Sequence, residues 1–190
     1  MTRNEAIERN IQTLDQQIER LNQLLASPQQ QLWQQPAPNV WSAMECLEHL
    51  NLAGQYYQKE IQEALTTAVA RMSDQELRSG RVGKMMARGM RPTKEGKRRY
   101  KVKTFAVTTP LKPDPHRHQT ILSDYRALQD QWRELLETAR EVDWNQIKIR
   151  SLAGNILRLY LGDVFHFLLA HQERHLLQAE EAAGLVLAEV

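Results

Sequence analysis

Apolar residues recur at intervals of three and four along four segments of the chain. This spacing brings them onto one face of an α-helix, so each segment is predicted to be an amphipathic helix. The predicted helices run from Glu5 to Ala26, from near Trp41 to about Ser73, from about Thr120 to Ala139, and from Gly162-Asp163 to about Ala183. Four such helices predict an all-α fold, for which an antiparallel, up-down four-helix bundle is the default architecture.

Local signals mark the ends of these helices. Proline cannot continue the helical hydrogen-bond ladder, so Ser27-Pro28 ends the first helix. Ser42, followed three residues later by Glu45, forms a capping-box pattern at the start of the second helix. Gly184 fits the terminator of the fourth helix. The stretch from Ile147 to Tyr160 receives no firm assignment from its pattern.

The connection between the second and third predicted helices, about residues 74–119, has a different composition. It contains four of the seven prolines. Residues 78–103 include eleven Lys or Arg and one acid, Glu95, whereas the rest of the chain has an excess of acids. A connection of this length is usually functional or disordered. We predict a long basic insert, with a short helix near 82–90 and a short extended segment at 102–109.

Length and composition indicate the broad class of protein. A chain of 190 residues predicts a single domain, 1–190. The one cysteine, Cys46, excludes an internal disulfide. No stretch reaches the roughly 18 consecutive apolar residues of a transmembrane helix, and the polar first fifteen residues carry no secretory signal. These features predict a cytoplasmic protein without a membrane partner.

Three histidines form the strongest chemical signal in the sequence. His171 and His175 are four positions apart, which places both imidazoles on one side of the fourth helix. The apolar residues that precede them by three and four positions, Phe167 and Leu168, put that side on the buried face. His49, on the second helix, is the candidate third ligand. Three neutral imidazoles and one or more waters would suit zinc, nickel, iron or copper.

The candidate residues can also be explained by structural roles that involve no metal. A His pair at this spacing occurs as hydrogen-bonded core residues, and His166 is expected to be structural because it points elsewhere on the helix. His116 and His118 lie in a proline-rich loop, where such pairs usually bind no metal. Glu45 could orient His49, although the capping role is favoured, and Cys46 is read as a small buried apolar residue rather than a fourth ligand.

Two segments resemble a known superfamily. Residues 41–50, Trp-Ser-Ala-Met-Glu-Cys-Leu-Glu-His-Leu, resemble the W-S-x-x-E-x-L-x-H-L helix start of the DinB/YfiT-like metalloenzymes. Residues 171–178 resemble the H-x-x-R-H-x-x-Q signature of that superfamily's last helix. The resemblance implies an up-down four-helix bundle and a divalent metal held by one histidine of the second helix and two of the last, here His49, His171 and His175. It also implies a homodimer.

The resemblance leads to a functional expectation with alternatives. Several members of the superfamily are transferases or isomerases that use a low-molecular-weight thiol. We therefore expect a metal-dependent hydrolase or thiol-dependent transferase that acts on a small molecule. If that substrate is anionic, the basic insert would favour its binding. The alternatives are a non-enzymatic module that holds an anionic partner through residues 78–103, and a scaffold in which the histidines have no role. Nucleic acid is disfavoured because few aromatic residues accompany the basic ones.

Overall fold

The computed structural model describes residues 1–71, 73–100 and 102–185. Within these ranges the chain is mostly helical and has one small sheet of two strands. The helices are α1 (Arg3–Leu25), α2 (Gln29–Trp33), α3 (Ala43–Thr66), α4 (Arg81–Met90), α5 (His118–Thr138) and α6 (Leu161–Ala182). The strands are β1 (Lys148–Ser151) and β2 (Gly154–Tyr160), and single turns of 3-10 helix occur at Ala106–Thr108, Pro115–Arg117 and Ala139–Glu141.

Two of the long helices, α1 and α3, begin at capping boxes. Ser42 accepts a hydrogen bond from the Glu45 amide, while the Glu45 carboxylate accepts one from the Ser42 amide at 2.8 Å. Thr2 and Glu5 form the same reciprocal pair at the start of α1. Each pair satisfies amide donors that a helix start leaves without an intrahelical partner. The four predicted long helices and the short helix near 82–90 are confirmed as α1, α3, α5, α6 and α4.

The predicted end of the second helix is wrong. Helix α3 ends at Thr66 instead of continuing to about Ser73. The chain beyond it pairs with the segment that follows α5: the Arg71 amide donates to the Glu141 carbonyl at 2.8 Å, and the Asp143 amide donates to the Val69 carbonyl at 3.0 Å. These backbone contacts take the place of the helical hydrogen bonds, and nothing in the local hydrophobic pattern announces them.

The stretch without an assignment, 147–160, contains the two strands, so the all-α description needs one addition. Strands β1 and β2 form an antiparallel hairpin, and its tight turn ends at Gly154, whose φ is +93°. Only glycine adopts such a positive φ without strain. Arg150 fastens β1 to helix α3 by two hydrogen bonds to the Glu60 carboxylate, at 2.8 and 3.0 Å.

Helices α3 and α6 lie side by side, and both also contact other long helices. Each of α1 and α3 contacts both α5 and α6. The buried apolar residues form two clusters, one around Trp144 and Phe165 and the other around Leu47 and Tyr125. His49 follows Leu47 by two positions on α3, so it lies next to the second cluster. Within the described residues, none of the helices combines the length and the apolar character needed to cross a bilayer.

The segment predicted to be extended, 102–109, instead contains a turn of 3-10 helix at Ala106–Thr108. Thr108 is only 2% exposed, and this turn contacts α3. The preceding residues are tied to α6, where the buried Arg174 donates to the Tyr100 carbonyl and Glu181 pairs with Arg98 at 2.7 Å. An extended strand would need a partner strand, whereas here the 3-10 turn packs on α3 and the residues before the segment are held by side chains of α6.

Helix α4 packs against α6 through a glycine and an aspartate. The Asp163 carboxylate accepts hydrogen bonds from the Ser79 hydroxyl and from the Gly80 amide, the latter at 2.7 Å. Gly83 lies so close that an added Cβ would be 2.5 Å from the Cβ and Cγ of Asp163. The position of α4 on α6 therefore depends on the absence of a side chain at Gly83.

The substitution Gly83→Ala is expected to lower the free energy of unfolding by about 1–3 kcal/mol, because the added methyl group forces α4 away from Asp163. Gly89, in the same helix, has no atom within 4 Å of an added Cβ. Gly89→Ala should therefore raise the free energy of unfolding by up to about 1 kcal/mol through helix propensity. Urea denaturation of both variants measures the two free energies of unfolding. Changes of the same sign in the two variants would contradict the close contact between Gly83 and Asp163.

Candidate metal centre

Three imidazole rings from two helices converge at one point. His49 lies on α3, and His171 and His175 lie one turn apart on α6. Their candidate ligand nitrogens all lie within 4.8 Å of one another. The ring centroids are separated by 5.1 Å for His49 and His171, 4.5 Å for His49 and His175, and 4.6 Å for His171 and His175. The structure thus brings together the three histidines that the sequence predicted as ligands.

The separation of two of the nitrogens suits a shared ion. The Nε2 atoms of His49 and His171 are 3.1 Å apart. With metal–nitrogen distances of about 2.0–2.1 Å, two ligands of a tetrahedral ion lie about 3.3 Å apart. Without an ion, the same distance corresponds to a hydrogen bond in which one Nε2–H donates to the other nitrogen. These two nitrogens therefore already have nearly the separation of two ligands of one ion.

Hydrogen bonds to the other ring nitrogens orient two of the imidazoles. His49 Nδ1 lies 2.6 Å from the Thr108 carbonyl, which can only accept, so the ring donates there and Nε2 keeps its lone pair. His175 Nδ1 lies 3.1 Å from Oε1 of Gln178, and the same argument makes its Nε2 available. Metal-bound histidines usually have such a partner on the second nitrogen.

The three imidazoles are held in the neutral form. Burial lowers the pKa of His171 to about 3, and the neighbouring His49 and Arg174 contribute in the same direction. Burial also lowers the pKa of His175, together with His171, His49 and Arg174. The pKa of His49 is lowered by burial, against the opposing effect of its bond to Thr108. Neutral imidazole is the form that ligates metal, so the lone pairs are present near neutral pH.

Two aromatic side chains form the walls of the cluster. The Trp41 ring lies 5.0 Å from the His49 ring and 6.0 Å from the His175 ring. The Phe167 ring stacks on His171 at 5.8 Å. His49 and His175 are buried, whereas His171 and Trp41 keep partial exposure. A ligand can therefore approach from the side of His171 and Trp41.

The remaining sequence candidates have roles outside the cluster. Glu45 caps α3 and also accepts from the Gln35 side chain at 2.9 and 3.0 Å, which agrees with the favoured capping role. Cys46 is fully buried among apolar residues, and this burial raises the pKa of its thiol. His166 is absent from the triad, as expected. His116 is exposed in the loop before α5.

Sequence reasoning missed several contacts at the site. The Thr108 carbonyl belongs to a backbone group of the insert, which carries no side-chain signature. The ring of Trp41, just before the cap of α3, lies over two of the histidines. Arg174, between the two histidines of α6, donates to the Tyr100 carbonyl of the insert. Of these contacts, those of Trp41 and Arg174 involve residues within the two quoted motifs.

Fold and site together define a mostly helical protein with a three-histidine cluster that could hold a metal ion. The chain belongs to the DinB superfamily, whose family model matches residues 13–179. Members of this superfamily often bind metal ions. No curated protein and no solved structure gives a significant match to this chain. The matched range includes all three histidines of the cluster.

Proposed function

We propose that this protein binds one divalent metal ion through His49, His171 and His175, and that it is a metal-dependent enzyme of the hydrolase or thiol-transferase class. The observation that carries the proposal is the convergence of three imidazoles from two helices, with their ligand nitrogens within 4.8 Å of one another. A core His pair without a ligand role would need no third imidazole. Membership in the DinB superfamily supports the same ligand set.

The donor set limits which ion fits. Three neutral nitrogens and no carboxylate suit the borderline ions zinc, nickel and iron better than the hard ions calcium and magnesium, which prefer oxygen. Three protein ligands also leave at least one coordination position for water or substrate, which is the arrangement of catalytic rather than structural zinc sites. The partial exposure of His171 provides access to that position.

The chemistry follows from the chain's own groups around the ion. A bound divalent ion supplies Lewis acidity, which lowers the pKa of a coordinated water or thiol. Thr108 and Gln178 hold two imidazoles in orientation, and the rings of Trp41 and Phe167 pack against the imidazoles. Because the insert supplies the Thr108 carbonyl, its position affects the geometry of His49 directly.

Several further features are part of the proposal. We take the four long helices, α1, α3, α5 and α6, to form an up-down four-helix bundle, since α1 and α3 each contact α5 and α6. We further propose a homodimer in the cytoplasm that acts on a small molecule, with a low-molecular-weight thiol as the candidate cosubstrate. Size-exclusion chromatography with light scattering tests the oligomeric state independently of the metal.

Titration with cobalt(II) tests the metal site. Cobalt(II) replaces zinc in nitrogen sites and absorbs visible light, so the absorbance should rise and saturate at one ion per chain. Addition of a small thiol should then shift the spectrum if sulfur enters the open position. Absence of saturable binding, with no zinc, nickel or iron in the purified protein, would contradict the proposed function.

A further inference from the structure

A second chemically distinctive region lies where α4 packs on α6, away from the histidine cluster. It contains a cavity of about 520 Å³, lined by residues of α4 and α6 and by Arg9 of α1. A second cavity of about 330 Å³ continues along α1 and shares Arg9, Arg91 and His166 with the first. We call the two together the cationic cleft, after their basic lining residues Arg9, Arg78, Lys84, Arg88 and Arg91.

The basic residues of the cationic cleft outnumber its carboxylates. The larger cavity has one acidic residue, Asp163, whose two oxygens already accept from Ser79 and Gly80, and the smaller cavity has one, Glu173. Among the described residues, none of the five basic residues that name the cleft forms an ion pair. Arg20, which also lines the smaller cavity, pairs with Glu180, and arginines outside the cleft pair with carboxylates as well: Arg71, Arg98, Arg117, Arg133, Arg140 and Arg150. The cleft therefore brings together five exposed basic side chains that form no ion pair with another described residue.

A buried donor in the smaller cavity also lacks a partner. Asn10 is 2% exposed, and within the described part of the chain its Nδ2 has no hydrogen-bond acceptor. A buried polar group without a partner costs about 1–3 kcal/mol, so such groups usually have a reason to be there. Asn10 lines the same cavity as Arg9 and Arg91. This Nδ2 atom is shielded from solvent, and the same cavity also has a buried acceptor without a partner among the described residues, Oε1 of Gln17. A ligand oxygen would satisfy the Asn10 donor after a small side-chain movement at the floor of the cavity.

His166 lies where the two cavities meet. Its pKa is lowered first by burial and then by the positive charges of Arg91 and Arg9, against the opposing effect of Asp163. A neutral imidazole offers an N–H donor to an anionic oxygen. His166 precedes His171 by five positions, which is about 140° around α6, so the cationic cleft and the histidine cluster occupy different sides of that helix.

We propose that the cationic cleft is a binding site for a small phosphate-bearing ligand. Arginine forks match the oxygens of phosphate in geometry and charge, and several arginines converge here without acidic partners. The cavity volumes fall at the lower end of the range for small-molecule sites, which admits a ligand between the sizes of pyrophosphate and a nucleotide. The proposal does not depend on the metal site. It names a phosphate-bearing small molecule as the anionic partner in the alternative where the basic insert holds such a partner.

Isothermal titration calorimetry of the full chain with inorganic pyrophosphate tests the proposal. The double substitution Arg9→Gln with Arg91→Gln should raise the Kd by at least about a hundredfold, because each removes a charge-assisted hydrogen bond. The matched control is Arg126→Gln with Arg158→Gln, two arginines that are exposed like Arg9 and Arg91 but lie outside both cavities. This control changes the net charge equally and should leave the Kd within about twofold, since remote exposed charges are screened by salt.

Two single variants separate the cleft from its surroundings. Asn10→Leu removes the unpartnered donor, so it should raise the Kd for pyrophosphate by about tenfold without lowering the free energy of unfolding of the ligand-free protein. His171→Ala removes a histidine of the cluster and should leave pyrophosphate binding intact, which would hold even if the proposed metal function failed.

Four outcomes would overturn the proposal. The first is no saturable binding of pyrophosphate at millimolar concentration, and the second is an equal loss of affinity in both double variants, which would indicate only long-range attraction. The third is a pyrophosphate affinity no higher than that for citrate, which would remove the preference for phosphate. The fourth is binding of single-stranded DNA that tightens with strand length and exceeds that of pyrophosphate, which would identify a nucleic-acid surface.

Discussion

Replacement of His171 by alanine is expected to weaken zinc or nickel binding by about a thousandfold. Apparent binding free energies of structural zinc are about 10–16 kcal/mol, so the loss of one of three protein ligands removes roughly 4 kcal/mol. His171 contacts both of the other imidazoles, with its Nε2 3.1 Å from that of His49 and its ring centroid 4.6 Å from that of His175. The two remaining imidazoles cannot hold an ion with comparable strength. Competition with a chromophoric chelator measures the change in affinity.

The matched control for this prediction is His166→Ala. His166 lies on the same helix and is also partly buried, but it is not a member of the cluster. Its replacement should leave metal affinity within about twofold of the original, since groups outside the coordination sphere and its hydrogen-bonded shell have little effect. Similar losses in both variants would point to general destabilisation of α6. An unchanged affinity in the His171→Ala chain would refute the proposed ligand set.

The fold shows which elements a hydrophobic pattern can predict. The long helices were predictable because each has an apolar stripe at helical spacing and two of them begin at a capping box. The end of α3 was not predictable. Val69 and Arg71 lie beyond it and form backbone hydrogen bonds with Asp143 and Glu141, which are distant in sequence. Such long-range pairing has no counterpart in a local window.

The hairpin at 147–160 illustrates a second limit. Strand β2 is seven residues long, and β1 only four, so neither supplies enough periods to separate strand from helix by pattern alone. Its stabilising contacts are also remote: Arg150 binds Glu60 of α3, and the Leu152 amide donates to the Tyr57 hydroxyl at 3.3 Å. Tertiary contacts therefore decide the structure of this segment.

The candidate site was also predictable only in part. The three histidines were identified because the spacing of His171 and His175 is a helical one, and because the residues around His49 match a family motif. The contribution of the insert to the site was not predicted, because the Thr108 contact is made by a backbone carbonyl and Arg174 binds the carbonyl of Tyr100. The chemistry of a side chain can be predicted from the sequence, whereas a contact made by a backbone group of an irregular segment cannot.

Acidification of the metal-free protein from pH 7 to pH 5 is expected to lower its free energy of unfolding by about 2 kcal/mol through His171 alone. In the folded state burial lowers the pKa of His171 from 6.5 to about 3. Above pH 6.5 the ring is neutral in both states and has no effect on stability. Below that value the unfolded chain takes up a proton that the folded chain refuses, so stability falls with decreasing pH until about pH 3. His49 and His175, whose pKa values are also lowered, add to the same trend.

Urea denaturation at the two pH values, after removal of metal by dialysis, measures this effect. Substitution of His171 by asparagine removes the titrating ring, so the loss of stability between pH 7 and pH 5 should shrink by about 2 kcal/mol. The matched control is His116→Asn, a change at an exposed histidine in the loop before α5, which should leave the loss unchanged. An equal loss in the His171→Asn chain and the unmodified chain would mean that His171 accepts a proton within the fold. The ring would then be accessible to water rather than desolvated, and the neutral cluster on which the metal proposal depends would not exist at mildly acidic pH.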